Sequence, residues 1–301
     1  MGKIKLYIME TRIPFLTVTA VPVAAGSVMA AGGGAGYDWM MFVSVLSGFI
    51  FMHLGANVLN DYFDYTGGTD NINEEYAAPF TGGSRFIQNG LLKPKEVLAE
   101  GIILLVLAVV FSAPAVLRFG IPAAGAVLFS LGAGIFYTAP PLRLSYRGFG
   151  ELFIFICFGP LPVLSAYYAQ AGGISAGAVV VSVVLGLLAA AIIDVNQFPD
   201  YKADSKTGKR NLVVIMGRKK GVLLYGAAVM FAYITAGAGI FMGYMPGASA
   251  AAFAGMFFSF KAYKVLSENY DNPKKLKPAS AMTAAAHFVT GIGLIAAYLL
   301  M

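Results

Sequence analysis

The chain has 301 residues, of which 58% are hydrophobic and 12% charged, with a formal net charge of +6. Soluble domains carry about a quarter charged residues, so this composition excludes an ordinary soluble protein. The single cysteine, Cys157, lies in an apolar stretch and excludes an intramolecular disulfide. No polar stretch leaves room for a soluble domain, and we predict one all-α transmembrane domain over residues 1–301.

Apolar runs of roughly 18 to 25 residues recur along the chain, which is the length a helix needs to cross a hydrocarbon core about 30 Å thick. We predict about nine transmembrane helices. In chain order they lie at residues 12–33, 39–63, 97–116, 120–138, 151–170, 175–198, 221–242, 247–266 and 279–300.

The basic residues sort to one side of this arrangement. With the amino terminus in the cytoplasm, the lysines and arginines lie in cytoplasmic segments, and Arg118 alone lies outside. Topology thus accounts for the positive charge, and no nucleic-acid partner is needed. We predict a multi-pass protein of the cell membrane whose amino terminus and long loops are cytoplasmic; most of the loop lysines would only orient the chain and contact lipid headgroups.

Two cytoplasmic segments, 64–93 and 198–220, are long and polar, and each follows a helix that ends in acids and amides. Long loops in compact proteins tend to be functional. Residues four apart share a helix face, which predicts one acidic stripe on each helix. The first stripe has Asn60 and Asp64, with Asp70 following; the second has Asn196, Asp200 and Asp204.

Ionisable groups at membrane depth indicate function, and carboxylate and amide oxygens are ligands that Mg²⁺ prefers. Nearby basic residues favour an anionic substrate such as a diphosphate. The alternative is that the acids cap helices or pair with loop lysines, which two matched stripes make less favourable. Pro199 lies inside the second stripe, and we expect the helix to kink or fray between Asn196 and Asp200.

The two motifs resemble those of the UbiA superfamily of intramembrane prenyltransferases. They read Asn60-Asp61-Tyr-Phe-Asp64 with Asp70, and Asp200-Tyr-Lys-Ala-Asp204. The commoner family pattern has an acid at position 68, where this chain has Gly68. Here the acid comes two residues later, at Asp70. This spacing resembles the branch that prenylates 1,4-dihydroxy-2-naphthoate for menaquinone, and Asn196 and the segments 137–151 and 208–214 resemble the same branch.

The resemblance implies nine transmembrane helices around a central cavity that opens to lipid, with Mg²⁺ as cofactor. It implies transfer of a polyprenyl group from an isoprenyl diphosphate to an aromatic acceptor, with 1,4-dihydroxy-2-naphthoate favoured. Asp64, Asp200 and Asp204 would be catalytic. The metal ligands would be Asn60, Asp64, Asp70, Asn196, Asp200 and Asp204; the diphosphate would contact Arg85, Arg143, Lys209, Arg210 and Tyr137; and Arg12, Tyr146 and Asp61 are weaker candidates for the acceptor pocket.

Other functions stay open at this point. A transporter also places charges in membrane helices, but it predicts acids near the bilayer midplane and broken helices. A CDP-alcohol phosphotransferase would carry its acids in one continuous segment. Within the superfamily the acceptor could be another quinone precursor, a chlorin or haem, or geranylgeranylglyceryl phosphate.

Overall fold

A computed structural model describes residues 2–34 and 36–300, and in those residues the chain forms helices and no β-strand. The helices are α1 (Lys3–Glu10), α2 (Thr17–Gly32), α3 (Trp39–Thr66), α4 (Pro94–Phe119), α5 (Ile121–Phe136), α6 (Gly150–Phe158), α7 (Pro160–Ala171), α8 (Ala176–Thr207), α9 (Leu212–Met216), α10 (Arg218–Phe241), α11 (Gly255–Asn269) and α12 (Lys277–Leu299). The all-α prediction is confirmed.

Seven helical stretches in the described residues are long and apolar enough to cross a membrane, which confirms a polytopic membrane protein. The other two predicted crossings are less regular. The fourth is α5, which has 16 residues, and the eighth is a 3-10 helix, Gly247–Ala254, that continues into α11. The count of nine crossings therefore stays a prediction.

The amino-terminal segment differs from the prediction of a helix that begins at residue 12. Helix α1 already begins at Lys3, and Arg12 then adopts a left-handed backbone with φ 58°. A side chain is uncommon in this region and helices do not continue through it. The chain is therefore interrupted between α1 and α2, and Arg12 lies in the interruption instead of on a helix face.

Helix α8 runs unbroken through Pro199 to Thr207, so the prediction of fraying there is wrong. Pro199 removes one backbone donor, but the preceding turn is anchored by packing: Val195 and Phe198 are fully buried in a cluster with Val213 and Tyr225. This burial offsets the lost hydrogen bond, and the second motif stays on one continuous helix.

Helix α8 is also the centre of the bundle, where it contacts α2, α6, α7, α10 and α12. Its approach to the junction of α6 and α7 depends on small residues. A Cβ built on Gly159 would lie 2.3 Å from Gly186 Cα, closer than any real contact. Close backbone approach at small residues is typical of helix packing in lipid, and it holds the middle of α8 against the junction of α6 and α7.

Candidate active site

The first motif forms a hydrogen-bonded pair on the last turns of α3. Asn60 Nδ2 donates to Asp64 Oδ2 at 3.1 Å and to Thr138 Oγ1 at 2.7 Å. The spacing of four residues places both side chains on one face of the helix, as the sequence predicts. Because the amide nitrogen makes both bonds, the Asn60 carbonyl oxygen is left for another partner.

Lys209 joins the two motifs. Helix α8 ends at Thr207 and is capped by Gly208, whose left-handed φ of 76° reverses the chain. Glycine adopts this conformation without steric cost. The reversal places Lys209 Nζ 3.1 Å from Asp64 Oδ2 and 3.8 Å from Asp204 Oδ1. The two motifs, far apart in sequence, thus meet across one ammonium group.

Loop amides hold the acids of the second motif. Asn73 Nδ2 donates to Asp200 Oδ1 at 2.7 Å, and Asn211 Nδ2 donates to Asp204 Oδ2 at 2.7 Å. Asn211 also caps α9 by accepting from Val214 N at 2.9 Å. Both loops that follow the motifs are therefore tied back to the carboxylates of α8.

Asp70 begins a short 3-10 helix and is buried beside the cluster. Burial raises its pKa to about 7; the Asp64 carboxylate also raises the pKa, and Lys209 opposes the rise. A Cβ on Gly83 would lie 2.6 Å from Asp70 Oδ2 and 3.2 Å from Asp61 Oδ1. The loop backbone at Gly83, where φ is 72°, therefore closes directly over two carboxylates, which only glycine permits.

Tyr146 is the neutral member of the cluster. Its hydroxyl donates to Asp64 Oδ1 at 2.9 Å and lies 3.0 Å from Thr69 Oγ1, and burial raises its pKa to about 12. Lys209 lies over the ring, with Nζ 5.5 Å from the centroid. Burial alone would lower the pKa of Lys209, but Asp204 and Asp64 raise it well above its usual value, so the ammonium stays charged.

Arg12 and Asp61 form a second ion pair beside the first motif. The other oxygen of Asp61 accepts from Ser84 N at 2.7 Å, so this carboxylate fastens the loop to α3. Arg12 Nε is buried and has no hydrogen-bond acceptor in the described part of the chain. The guanidinium thus keeps one donor free.

The other predicted diphosphate contacts lie in different environments. Arg85 donates to the Asp70 carbonyl at 2.9 Å, so its guanidinium braces the loop. Arg143 and Arg210 are exposed at the same end of the molecule, and Arg143 lies over the Tyr146 ring at 5.3 Å. Tyr137 lines a cavity that extends from the motifs into the helices.

This cavity has a volume of about 210 Å³. Polar residues of both motifs line one part of it, and apolar and aromatic side chains line the rest, as is typical of ligand sites. The polar lining includes Arg12, Asn57, Asn60, Tyr137 and Asn196; the remainder includes Phe15, Phe49, Met52, Phe80, Phe153, Phe158 and Ile192. Tyr146 and Asp61 are not in this lining; Tyr146 contacts Asp64, and Asp61 pairs with Arg12.

The oxygens at the motifs fit a hard divalent cation. Asn196 Oδ1 and Asp204 Oδ1 are buried and have no hydrogen-bond donor among the described residues, an arrangement that buried acceptors normally avoid. In the described residues no three His, Cys, Asp or Glu side chains are grouped to hold one metal ion. Mg²⁺ commonly binds through one or two carboxylates plus substrate phosphates, so a substrate-completed site fits this geometry.

Several residues that contact the motifs were not predicted from the sequence. Thr138, Thr69, Asn73 and Asn211 reach the motifs from loops, where no periodicity marks them. Glu151 is buried in α6 and accepts from Gln197 Nε2 at 2.7 Å and from Leu212 N at 2.8 Å. It therefore ties α8 to the segment after Lys209. The sequence does mark Glu151, because a carboxylate at the start of an apolar helix indicates a functional or structural role.

Comparisons with known proteins agree with this arrangement. The model of the UbiA prenyltransferase family matches residues 19–292. The chain is 30% identical over 224 residues to a 1,4-dihydroxy-2-naphthoate octaprenyltransferase of Bacillus subtilis (strain 168), covering 74% of this chain and 70% of the relative. It is 26% identical over 298 residues to a 2-carboxy-1,4-naphthoquinone phytyltransferase of Synechocystis sp. (strain ATCC 27184 / PCC 6803 / Kazusa), covering 98% and 93%.

Solved structures share the fold. A UbiA homologue from Archaeoglobus fulgidus bound to DMAPP and Mg²⁺ superposes with a TM-score of 0.65 at 18% identity, covering 96% of this chain and 99% of that one. A UbiA homologue from Aeropyrum pernix K1 gives a TM-score of 0.67 at 16% identity, with coverage of 93% and 97%.

Proposed function

Since this chain belongs to the UbiA prenyltransferase family, we propose that it transfers a polyprenyl group from an isoprenyl diphosphate to 1,4-dihydroxy-2-naphthoate, the prenylation step of menaquinone biosynthesis. The observation that carries the proposal is the meeting of the two motifs, through Lys209, at the polar end of an apolar cavity. An isoprenyl diphosphate needs a polar environment for its diphosphate and an apolar one for its hydrocarbon chain, side by side.

The diphosphate would lie between α3 and α8. Mg²⁺, held by oxygens of both motifs, would neutralise charge on the departing diphosphate. The proposed ligands are Asn60, Asp64, Asp70, Asn196, Asp200 and Asp204. Their support is the donor-free oxygens of Asn196 and Asp204 and the Asn60 carbonyl that its own hydrogen bonds leave available.

Cations of the chain would bind the phosphate oxygens. Lys209, which stays protonated, lies between Asp64 and Asp204 and can turn from a carboxylate to a phosphate within the reach of its side chain. Arg143 and Arg210 are exposed beside it and offer planar donors that match phosphate geometry. Arg85 would act by holding Asp70 in place, because its donors already bind the loop carbonyls.

The cavity would protect the reacting carbon. Loss of diphosphate leaves positive charge on an allylic carbon, which the faces of aromatic rings stabilise. Tyr137, Phe153 and Phe158 are among the rings that line the cavity. The apolar lining also limits water, which would otherwise capture the cation.

The acceptor would enter the same cavity beside Arg12. This guanidinium lines the cavity, is paired with Asp61 and keeps Nε free of any acceptor in the described chain. An arginine fork is suited to a carboxylate, and 1,4-dihydroxy-2-naphthoate carries one. Arg12 would therefore bind the carboxylate of the acceptor, and Asp61 would orient Arg12.

We further propose that the whole chain is one transmembrane domain of the cell membrane with the motifs on the cytoplasmic side. The basic residues of the loops support this orientation by the positive-inside rule. The acids lie at the ends of α3 and α8, which disfavours a transporter with a site at the bilayer midplane.

The test is an assay of prenyl transfer. Purified protein in detergent would be incubated with Mg²⁺, geranylgeranyl diphosphate and a panel of acceptors that includes 1,4-dihydroxy-2-naphthoate, 4-hydroxybenzoate and geranylgeranylglyceryl phosphate. Mass spectrometry should detect a prenylated product of 1,4-dihydroxy-2-naphthoate, in which the new carbon–carbon bond replaces either a ring hydrogen, lost as a proton, or the carboxylate, lost as CO2. A product formed only with a different acceptor would show that 1,4-dihydroxy-2-naphthoate is not the acceptor. The absence of product with every acceptor would contradict the proposed activity. Asp64→Ala or Asp200→Ala should abolish transfer while the protein stays folded.

A further inference from the structure

His53 extends the polar face of α3 into the cavity. It lies four residues before Asn57 and seven before Asn60, so the three side chains share one face of the helix. At a rise of about 1.5 Å per residue, His53 lies roughly 10 Å from Asn60 along the helix axis. All three residues line the cavity. The polar face that holds the first motif therefore continues, through His53, among the aromatic side chains of the lining.

Two neighbours hold the imidazole ring of His53. Thr19 Oγ1 of α2 lies 2.7 Å from His53 Nδ1, and the ring packs edge-on against Phe158 of α6, with centroids 4.7 Å apart. Thr19 is buried, and its hydroxyl has no other hydrogen-bond partner in the described part of the chain. His53 Nε2 makes no hydrogen bond to the described residues, and it is not enclosed as both ring nitrogens of His287 are. The ring is thus fixed at Nδ1 and open to the cavity at Nε2.

His53 is the one base in the described lining of this cavity. The lining contains no aspartate or glutamate, and the motif carboxylates are already bound by Lys209 and by loop amides. The other ionisable side chains of the lining are Arg12, Tyr137 and Cys157. Guanidinium, phenol and thiol groups keep their protons at neutral pH, whereas a neutral imidazole accepts one.

The proposed function, on which this inference rests, needs a base in the cavity. An aromatic hydroxyl donates electrons to its ring far better once it has lost its proton, and a positioned side chain is the usual means of removing that proton. The apolar lining limits the water that would otherwise accept it. Arg12 lines the same cavity as His53, so an acceptor whose carboxylate binds Arg12 has its ring among side chains that include His53.

We propose that His53 is the catalytic base. With Nδ1–H donated to Thr19, Nε2 accepts the proton of the acceptor hydroxyl next to the attacked ring carbon. The electrons of the broken O–H bond enter the ring, the ring carbon bonds to the allylic carbon, and the bond between that carbon and the diphosphate oxygen breaks. The attacked carbon then loses either a proton, which the diphosphate takes, or CO2. The electrons return to the ring oxygen, which recovers its proton from His53.

Replacement of His53 by glutamine tests the proposal, because it keeps a polar side chain and removes the basic nitrogen. The kcat of His53→Gln should fall about hundredfold, within the range that a general base contributes. Stabilisation by geranylgeranyl diphosphate and Mg²⁺ should stay as in wild type, because the motifs are unchanged. The matched control is His287→Gln: His287 is the other histidine of the chain, is buried in α12 and does not line the cavity, so this variant should keep the wild-type kcat. A wild-type kcat in His53→Gln would overturn the proposal.

The acidity of the acceptor separates a base from a packing residue. A ring-fluorinated 1,4-dihydroxy-2-naphthoate has a more acidic hydroxyl and needs less help to ionise, so the fold loss caused by His53→Gln should be at least about tenfold smaller with it. A loss of the same size with both acceptors would assign His53 to packing and overturn the proposal.

A second variant keeps the test decisive if His53→Gln does not fold. Thr19→Val removes the hydroxyl that holds Nδ1 and keeps the branched shape of the side chain. It should lower kcat about tenfold, the value of one hydrogen bond, and the loss should again be smaller with the fluorinated acceptor. A wild-type kcat in Thr19→Val would contradict a ring oriented through Nδ1 and so overturn the proposal.

Failure of the proposed transfer is separable from failure of this inference. The chain has two histidines, so protein labelled with nitrogen-15 histidine gives NMR signals from two imidazole rings, which His287→Gln assigns. With Mg²⁺ and a non-hydrolysable geranylgeranyl diphosphate analogue, 1,4-dihydroxy-2-naphthoate should shift the Nε2 signal of His53 and leave His287 unchanged, and no transfer is required. An unshifted His53 signal at an acceptor concentration that raises the melting temperature would overturn the inference even in an active enzyme.

Discussion

Replacement of Lys209 by methionine tests whether one cation links the two motifs. The side chain is 15% exposed and its Nζ lies 3.1 Å from Asp64 Oδ2 and 3.8 Å from Asp204 Oδ1. Only the shorter contact is a hydrogen bond, and a hydrogen bond to a charged group contributes about 1.5–3 kcal/mol. A loss of about 2 kcal/mol corresponds to roughly a 30-fold change in an equilibrium or rate constant.

We therefore expect Lys209→Met to lower the rate of prenyl transfer about 30-fold and to lower the melting temperature in EDTA. Mg²⁺ should restore much of the lost stability, because a divalent ion replaces the ammonium charge between Asp64 and Asp204. The matched control is Lys206→Met: Lys206 is exposed on the last turn of α8 and has no ion pair in the described part of the chain. The control should behave as wild type. A Lys209→Met protein with the wild-type rate, or one that Mg²⁺ fails to stabilise, would refute the reasoning.

Three further predictions follow from single contacts. Asn73→Ala removes the donor to Asp200 Oδ1 and should weaken activation by Mg²⁺ about tenfold; a wild-type Mg²⁺ titration would count against a role for this loop. Gly83→Ala places a methyl group 2.6 Å from Asp70 Oδ2 at a backbone φ of 72°, so activity should be lost. The control is Gly90→Ala, which is also at positive φ but has open space around it, and this variant should keep activity. Removal of divalent ions with EDTA should abolish transfer, and Mg²⁺ should restore it while Ca²⁺, with its looser geometry, restores less; full transfer in EDTA would exclude the metal site.

The helices and the stripes could be predicted because they depend on local spacing. A run of apolar residues specifies a membrane helix wherever it lies, and positions four apart share a face regardless of the rest of the fold. Asn60 and Asp64 therefore lie on one face of α3, as the sequence predicts, and there they form a hydrogen bond. The local argument failed where packing overrides propensity, as at Pro199, since Val195 and Phe198 are fully buried in the turn that precedes it.

The loop contacts could not be predicted because they are set by tertiary structure. Asn73 and Asp200 are 127 residues apart, and Lys209 and Asp64 are 145 residues apart. Asp61 was only a weaker candidate in the sequence, because its side chain points about 100° away from Asn60 around the helix. The loop around Ser84 and the left-handed turn at Arg12 cover that second face, so both faces of α3 carry polar contacts.

The most direct measurement of the central claim uses Mn²⁺ in place of Mg²⁺. Electron paramagnetic resonance would count Mn²⁺ bound to purified protein with and without a non-hydrolysable geranylgeranyl diphosphate analogue, and phosphorus couplings would report contact with the analogue. Binding that requires the analogue, shows the couplings and is lost in both Asp64→Asn and Asp200→Asn is the predicted result. Binding that survives in either variant would contradict a metal site shared between α3 and α8.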